Sequence, residues 1–159
     1  DKILGKTPQF LEETIYRSLL VKQQVVENDP YEKGERALLN FGHTLGHAVE
    51  KLMNFSLLHG ECVSLGIVTA CFLSVKLGHI TKEEYEEVRN TLEAFHLPVS
   101  LPKDALDIEE VVFATKNDKK MDSGKIKFIL LETLGNAYIN KELTDEQLTL
   151  AVREILLAE

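Results

Sequence analysis

From Cys62 to Leu77 the chain is apolar on most sides of a helix instead of along one stripe, and such a segment is stable only when other elements surround it. The stretch therefore predicts the central helix of a bundle, with Gly66 inside it and Gly78 as its C-cap. Other segments carry apolar residues at helical spacing. After Pro8, the residues Phe10, Leu11, Ile15, Leu19, Val21, Val25 and Val26 recur with roughly helical spacing. That run should stop near Asn28-Asp29-Pro30, because a residue before proline is pushed away from helical dihedrals. Thr81 with Glu84 has capping-box spacing ahead of the stripe Tyr85, Val88, Leu92 and Phe95, which ends before Pro98. Asp107 caps a shorter helix through Ile108, Val111, Val112 and Ala114, and Thr144 with Gln147 opens a last one striped by Leu148, Val152, Ile155 and Leu156. Between these two, a turn at Asp122-Ser123-Gly124 precedes a hairpin of Ile126 to Leu131 and Ala137 to Ile139, joined near Gly135-Asn136. The expected fold class is mainly α, a helical bundle with a small β-hairpin.

A chain of 159 residues with 44% hydrophobic content is long enough for one core, so residues 1–159 are expected to form a single domain. The formal charge of -8 argues against a nonspecific nucleic-acid surface, while leaving room for a local basic pocket that binds an anionic substrate. Cys62 and Cys71 share one broad helical face but stand too far apart along it to bond, which points to free buried thiols in a reducing compartment. No stretch has the length and apolarity of a membrane span, and no basic region followed by a hydrophobic segment opens the chain. A cytoplasmic protein with neither nucleic-acid nor membrane partners is expected.

The chemistry concentrates in Asn40-Phe41-Gly42-His43-Thr44-Leu45-Gly46-His47-Ala48-Val49-Glu50 and the nearby Leu58-His59-Gly60-Glu61, which together hold three of the five histidines. His43 and His47 are four residues apart, so a helix projects them into the same space. His59 sits at the mouth of the next helix. Imidazoles around a polar pocket can divide metal binding and proton transfer between them. A two-histidine site is loose and calls for a third ligand; Glu50 and Glu61 are available, either as ligands or as groups that orient a histidine. The alternative is that all three histidines are helix-end residues satisfied by ordinary hydrogen bonds.

The basic candidates are Lys22, Arg36, Lys119 and Lys120, with Lys116 one turn earlier. An arginine grips carboxylate or phosphate through two parallel hydrogen bonds, whereas lysine contributes a mobile point charge. Lys22 stands out because it lies between apolar residues of a long helix, where its stem can also simply cover apolar surface.

Lys22 through Asp29, Glu32-Lys33-Gly34-Glu35-Arg36, Leu39 through Glu50, His59-Gly60-Glu61 and Asp118-Lys119-Lys120 closely resemble the C-terminal half of the 3-dehydroquinate synthase family, within the sugar phosphate cyclases. The long core Asn-x-Gly-His-x-x-Gly-His-x-x-Glu followed by His-Gly-Glu is far more specific than a paired-histidine motif. Glu35 stands where the family often has leucine, and Cys62 where alanine is common.

The resemblance implies a two-domain enzyme with its active site in the cleft, a Rossmann-like N-terminal domain for NAD and a mainly helical C-terminal domain for metal and substrate. This chain matches only the second, and no glycine-rich dinucleotide fingerprint is found in it. By the same resemblance His43 and His59 are ligands of a divalent metal, zinc or cobalt, and the third ligand has no matched position here. His47 becomes the proton-relay and substrate-positioning histidine. Lys22, Glu32, Arg36 and Asn40 fall on substrate-pocket positions, with Lys22 and Glu32 joining His47 in the catalytic set. One of Lys119 and Lys120 reaches the anionic end of the substrate. The implied reaction turns 3-deoxy-D-arabino-heptulosonate 7-phosphate into 3-dehydroquinate and phosphate in the shikimate pathway, with NAD as cofactor. The implied partners are the sugar phosphate, the N-terminal domain of the same enzyme and a second copy in a full-length homodimer; the isolated chain should be inactive. Alternatives are a related cyclase such as 2-deoxy-scyllo-inosose synthase, more distantly a glycerol dehydrogenase, and a noncatalytic metal-binding domain.

Overall fold

The computed structural model describes residues 5, 7–32, 34–116 and 126–157. Lys119, Lys120 and the expected turn at Asp122-Ser123-Gly124 lie outside them. The chain divides into two compact units, Asp1–Leu39 and Asn40–Glu159.

In the first unit, α1 (Pro8–Asn28) begins with proline at its first turn, where the missing N–H costs nothing, and ends just before Asp29-Pro30 as the backbone rule requires. Asp29 then folds the chain back on itself. Its carboxylate accepts hydrogen bonds from the backbone N–H of Gly34 at 2.7 Å and of Arg36 at 3.1 Å, and the Arg36 guanidinium donates to the Pro30 carbonyl at 2.9 Å. Within this loop Glu32 takes a left-handed conformation with φ 54°. A 3-10 helix, Glu35–Asn40, follows.

The second unit is built around α3 (His59–Lys76), the apolar segment with which the sequence reading began. Its residues Cys62, Leu65, Val68, Cys71 and Leu73 are all buried, consistent with a helix covered on most sides. It packs against α2 (His43–Leu52), α4 (Lys82–Ala94), the strand β2 (Phe128–Thr133) and α6 (Asp145–Ile155), while α5 (Ile108–Lys116) packs on α2 and α6. Gly78, at φ 77°, closes the end of α3 as a left-handed residue just past the C-cap. β2 pairs antiparallel with β3 (Asn136–Asn140), with Ile129 opposite Ile139. The mainly helical bundle with one hairpin is therefore the observed architecture, and the capping boxes at Thr81 and Thr144 both form.

Side-chain hydrogen bonds tie the elements together. The buried Ser74 hydroxyl donates to the Ala70 carbonyl at 2.8 Å and accepts from the Leu131 N–H at 3.0 Å, joining α3 to β2. Tyr85 donates to Glu154 at 2.7 Å, joining α4 to α6. Lys116, one of the basic candidates, is engaged with Asp145 at 2.9 Å.

Two local expectations are corrected. Leu156 is not on the last helix; it starts β4 (Leu156–Leu157), which pairs in parallel with β1 (Leu101–Pro102). A strand of two residues has no periodicity to read, and its partner lies far away in sequence. Phe95 is not part of a buried stripe. It is the C-cap of α4 and 42% exposed, because the chain turns away through His96 at φ 59°. Among the described residues, no helix is long and apolar enough to cross a membrane.

At Gly42, Gly46 and Gly66 backbone packs directly against backbone. A Cβ built on Gly66 of α3 would lie 1.8 Å from the Gly42 carbonyl oxygen, and one on Gly46 would lie 2.9 Å from the Cys62 carbonyl oxygen. Gly42 itself, at φ 77°, precedes α2 in a left-handed conformation, and its own missing Cβ would meet the Val63 carbonyl at 2.8 Å. No side chain fits at these crossings. Gly66→Ala should therefore destabilise the fold by about 3 kcal/mol, the upper end for overpacking a tight core. Gly60→Ala, with nothing within 4 Å of the new methyl group, should be neutral or slightly stabilising; urea denaturation of the two variants compares them directly.

Both cysteines are free and buried, as their spacing predicted. Burial pushes the Cys71 thiol from its usual 9.0 up to about 12. The unfolded chain thus gives up this proton first, so the contribution is intact below pH about 9 and is lost as pH rises toward about 12. Denaturation midpoints measured across that alkaline range should fall, and Cys71→Ala should flatten part of the fall.

Candidate metal centre

The glycine crossing decides where the histidines stand. Pressing the first turns of α2 onto α3 brings His43 and His47, which share one face of α2, alongside His59 at the start of α3. The ring centroids of His43 and His47 are 5.5 Å apart, those of His43 and His59 5.3 Å, and those of His47 and His59 5.7 Å. His43 and His47 are half-buried, and His59 is exposed. The imidazole cluster expected from the motif is thus assembled, open on one side to solvent.

Its partners assign the ring nitrogens. Nδ1 of His43 lies 3.1 Å from the Phe41 carbonyl; a carbonyl can only accept, so Nδ1 carries a proton, and in the neutral ring Nε2 is the nitrogen with the lone pair. Nδ1 of His59 faces the Glu50 carboxylate at 3.3 Å. The two glutamates that the sequence left as equals are now distinguished. Glu61 closes the start of α3 by accepting the Leu58 N–H at 2.7 Å, while Glu50 faces the histidines.

Ligand atoms of His47, Glu50 and His59 all lie within 4.8 Å of one another. Imidazole nitrogen with one or more carboxylate oxygens is the donor set that suits zinc or cobalt; calcium would ask for six or more oxygens. The residues present therefore fit a divalent transition metal. Nearby, Thr44 donates to the Lys127 carbonyl at 3.1 Å, fastening the first turn of α2 to the chain entering β2. Asn54 and Phe55, in the link from α2 to α3, adopt left-handed conformations with φ 50° and 58°.

The remaining candidates are distributed over both units. Lys22 lies on α1, and Glu32 and Arg36 lie in the loop held by Asp29, all within the first unit. Asn40, half-buried, ends the 3-10 helix ahead of α2. The glycine crossing was not anticipated from the sequence, although Gly42 and Gly46 of the motif and Gly66 of the apolar run were all visible in it.

Residues 1–121 match the family model described as 3-dehydroquinate synthase C-terminal. The chain is 40% identical over 154 residues to a 3-dehydroquinate synthase of Thermodesulfovibrio yellowstonii, covering 96% of this chain and 43% of that protein. It is 38% identical over 153 residues to a 3-dehydroquinate synthase of Acinetobacter baumannii, covering 96% and 42%. Among solved structures it is similar in fold to 2-deoxy-scyllo-inosose synthase complexed with carbaglucose-6-phosphate, NAD+ and Co2+, with a TM-score of 0.82, 22% identity, and coverage of 94% of this chain and 42% of that one. The 2-epi-5-epi-valiolone synthase of Streptomyces hygroscopicus subsp. jinggangensis, solved with NAD+ and Zn2+, gives a TM-score of 0.81 at 23% identity, covering 94% and 41%. The chain spans about two fifths of the length of the curated relatives it matches. On the match over residues 1–121, the chain belongs to the 3-dehydroquinate synthase C-terminal family.

Proposed function

We propose that residues 1–159 serve as the metal- and substrate-binding C-terminal domain of a 3-dehydroquinate synthase, acting with an NAD-binding N-terminal domain as a cytoplasmic homodimer in the shikimate pathway. The observation that carries this reading is the convergence of His43, His47 and His59 from two helices, in a chain of this family. The substrate would be 3-deoxy-D-arabino-heptulosonate 7-phosphate, and the products 3-dehydroquinate and phosphate. A related cyclase remains the competing reading, favoured by the fold of 2-deoxy-scyllo-inosose synthase. Identity weighs the other way, at 40% to a 3-dehydroquinate synthase against 22% to that cyclase.

In this reading Nε2 of His43 and a ring nitrogen of His59 hold the divalent ion, and His47 on the same face of α2 passes a proton to or from the substrate. The assignment of ligand to His43 and relay to His47 follows the motif. Among the described residues the compact donor set holds His47, Glu50 and His59 and not His43, so separate variants of His43 and His47 are informative. Arg36 presents a planar fork suited to carboxylate or phosphate, and its guanidinium is steadied by the Pro30 carbonyl. Lys22 and one of Lys119 and Lys120 add positive charge for the anionic ends of the substrate; Asn40 and Glu32 orient its hydroxyl groups. When bound, NAD supplies reversible hydride acceptance, which makes elimination of phosphate possible with no net redox change, and the metal ion polarises a hydroxyl oxygen.

Titration of the purified chain with Zn2+ or Co2+ by calorimetry should show one site. His43→Ala and His59→Ala should each lower affinity more than about a hundredfold, beyond the usual cost of losing a residue that only supports a ligand. His47→Ala should keep more of the affinity. Unchanged binding in the first two variants would remove the ligand assignment.

With NAD, metal and the seven-carbon substrate, the chain alone should release no phosphate, because hydride transfer needs cofactor and substrate held nearly in contact. Activity should appear when the N-terminal half of a relative is supplied, and His47→Ala should lower it without unfolding the chain. Preferential turnover of glucose 6-phosphate in that assay would move the assignment to the competing cyclase.

A further inference from the structure

Glu50 stands three residues after His47 and so projects from the same face of α2. Its two carboxylate oxygens lie 3.3 and 3.4 Å from Nδ1 of His59, almost equidistant. The glutamate side chain is 20% exposed, against 53% for the histidine. The carboxylate is therefore the sheltered, anchored member of the pair. His59, as the first residue of α3, has no preceding helical turn to restrict its ring. Glu61, the other acid of the motif, is already committed to the Leu58 N–H.

We propose that Glu50 is a positioning residue for His59. Its carboxylate accepts a hydrogen bond from Nδ1–H, which fixes the tautomer, holds the ring toward His43 and His47, and presents Nε2 as the ligating nitrogen. A neighbouring negative charge also makes that nitrogen a stronger donor. The inference rests on the reading of this cluster as a divalent-metal centre. It chooses between the two tasks, ligand or orienting group, that the motif leaves open for Glu50. The separation of 3.3 Å is also what two donors bound to one ion would show, since tetrahedral ligands at about 2.0 Å lie roughly that far apart. Replacement by glutamine separates the two arrangements, because an amide oxygen still accepts from an N–H but is a poor metal ligand.

The experiment combines nitrogen NMR of the His59 ring in the metal-free chain with Co2+ titration followed by calorimetry and visible absorption. In the wild type His59 should be the Nδ1-protonated tautomer. Glu50→Ala should give a mixture of tautomers and a 10- to 100-fold weaker Co2+ affinity, the range for losing the partner of a ligating histidine. Glu50→Gln should recover the tautomer and most of the affinity, with an unchanged Co2+ spectrum in all three proteins. Equal loss in Glu50→Gln and Glu50→Ala with an altered spectrum would make Glu50 a ligand and overturn the proposal. Unchanged tautomer and affinity in Glu50→Ala would also overturn it, while leaving the metal centre standing. If the wild type binds no Co2+, the metal reading falls and this inference falls with it.

Discussion

The contact between Gly66 and the Gly42 carbonyl governs the second unit, because it brings two helix backbones closer than any side chain would permit. Helices normally pack at 8–10 Å with side chains between them. Here the first turns of α2 lie directly on α3, and the left-handed Gly42 gives the chain the bend it needs to enter α2 at that point. Once the crossing is set, the directions of His43, His47 and Glu50 from α2 and of His59 from α3 follow. The rest of the bundle keeps α3 in place: Ser74 fixes it to β2, and the apolar residues on its remaining sides are enclosed by α4 and α6.

That arrangement yields a cluster in which each polar group restrains another. Phe41 holds the proton of His43 on Nδ1, Glu50 faces Nδ1 of His59, and Glu61 completes the start of the helix that carries His59. Preorganised donors lose little freedom when they take up an ion, which is why a metal centre benefits from support outside its immediate ligands. The half-buried position of His43 and His47 and the exposure of His59 leave one side of the cluster accessible.

The first unit uses a different device. A single carboxylate, Asp29, accepts two backbone N–H groups and turns the chain after α1 into a loop whose arginine is braced against the Pro30 carbonyl. Glutamate at position 32 takes a left-handed backbone conformation inside that loop, a cost that functional loops commonly carry. Two polar candidates, Glu32 and Arg36, are therefore held by local hydrogen bonds and not by a hydrophobic core.

Most of the fold was legible in the sequence because its signals are local. The encircling apolarity of Cys62 to Leu77, the capping boxes at Thr81 and Thr144 and the proline boundary after Asn28 act over a few residues each and formed where expected, and the hairpin turns one residue earlier than Gly135-Asn136, at Leu134-Gly135. The histidine motif likewise announced its own chemistry, since a four-residue spacing on a helix places two rings on one face. The parallel pairing of Leu101 with Leu156, the exposure of Phe95 and the separate duties of Glu50 and Glu61 were decided by tertiary structure. The strand pairing depends on which distant backbone comes within hydrogen-bonding reach, which no local pattern encodes, and only the packing of α2 on α3 puts Glu50 beside His59 while Glu61 bonds the Leu58 N–H three residues away. The distance between α2 and α3 is the sharpest case. The sequence supplied the glycines, but only their meeting across the helix crossing turned them into the element that gathers the imidazoles.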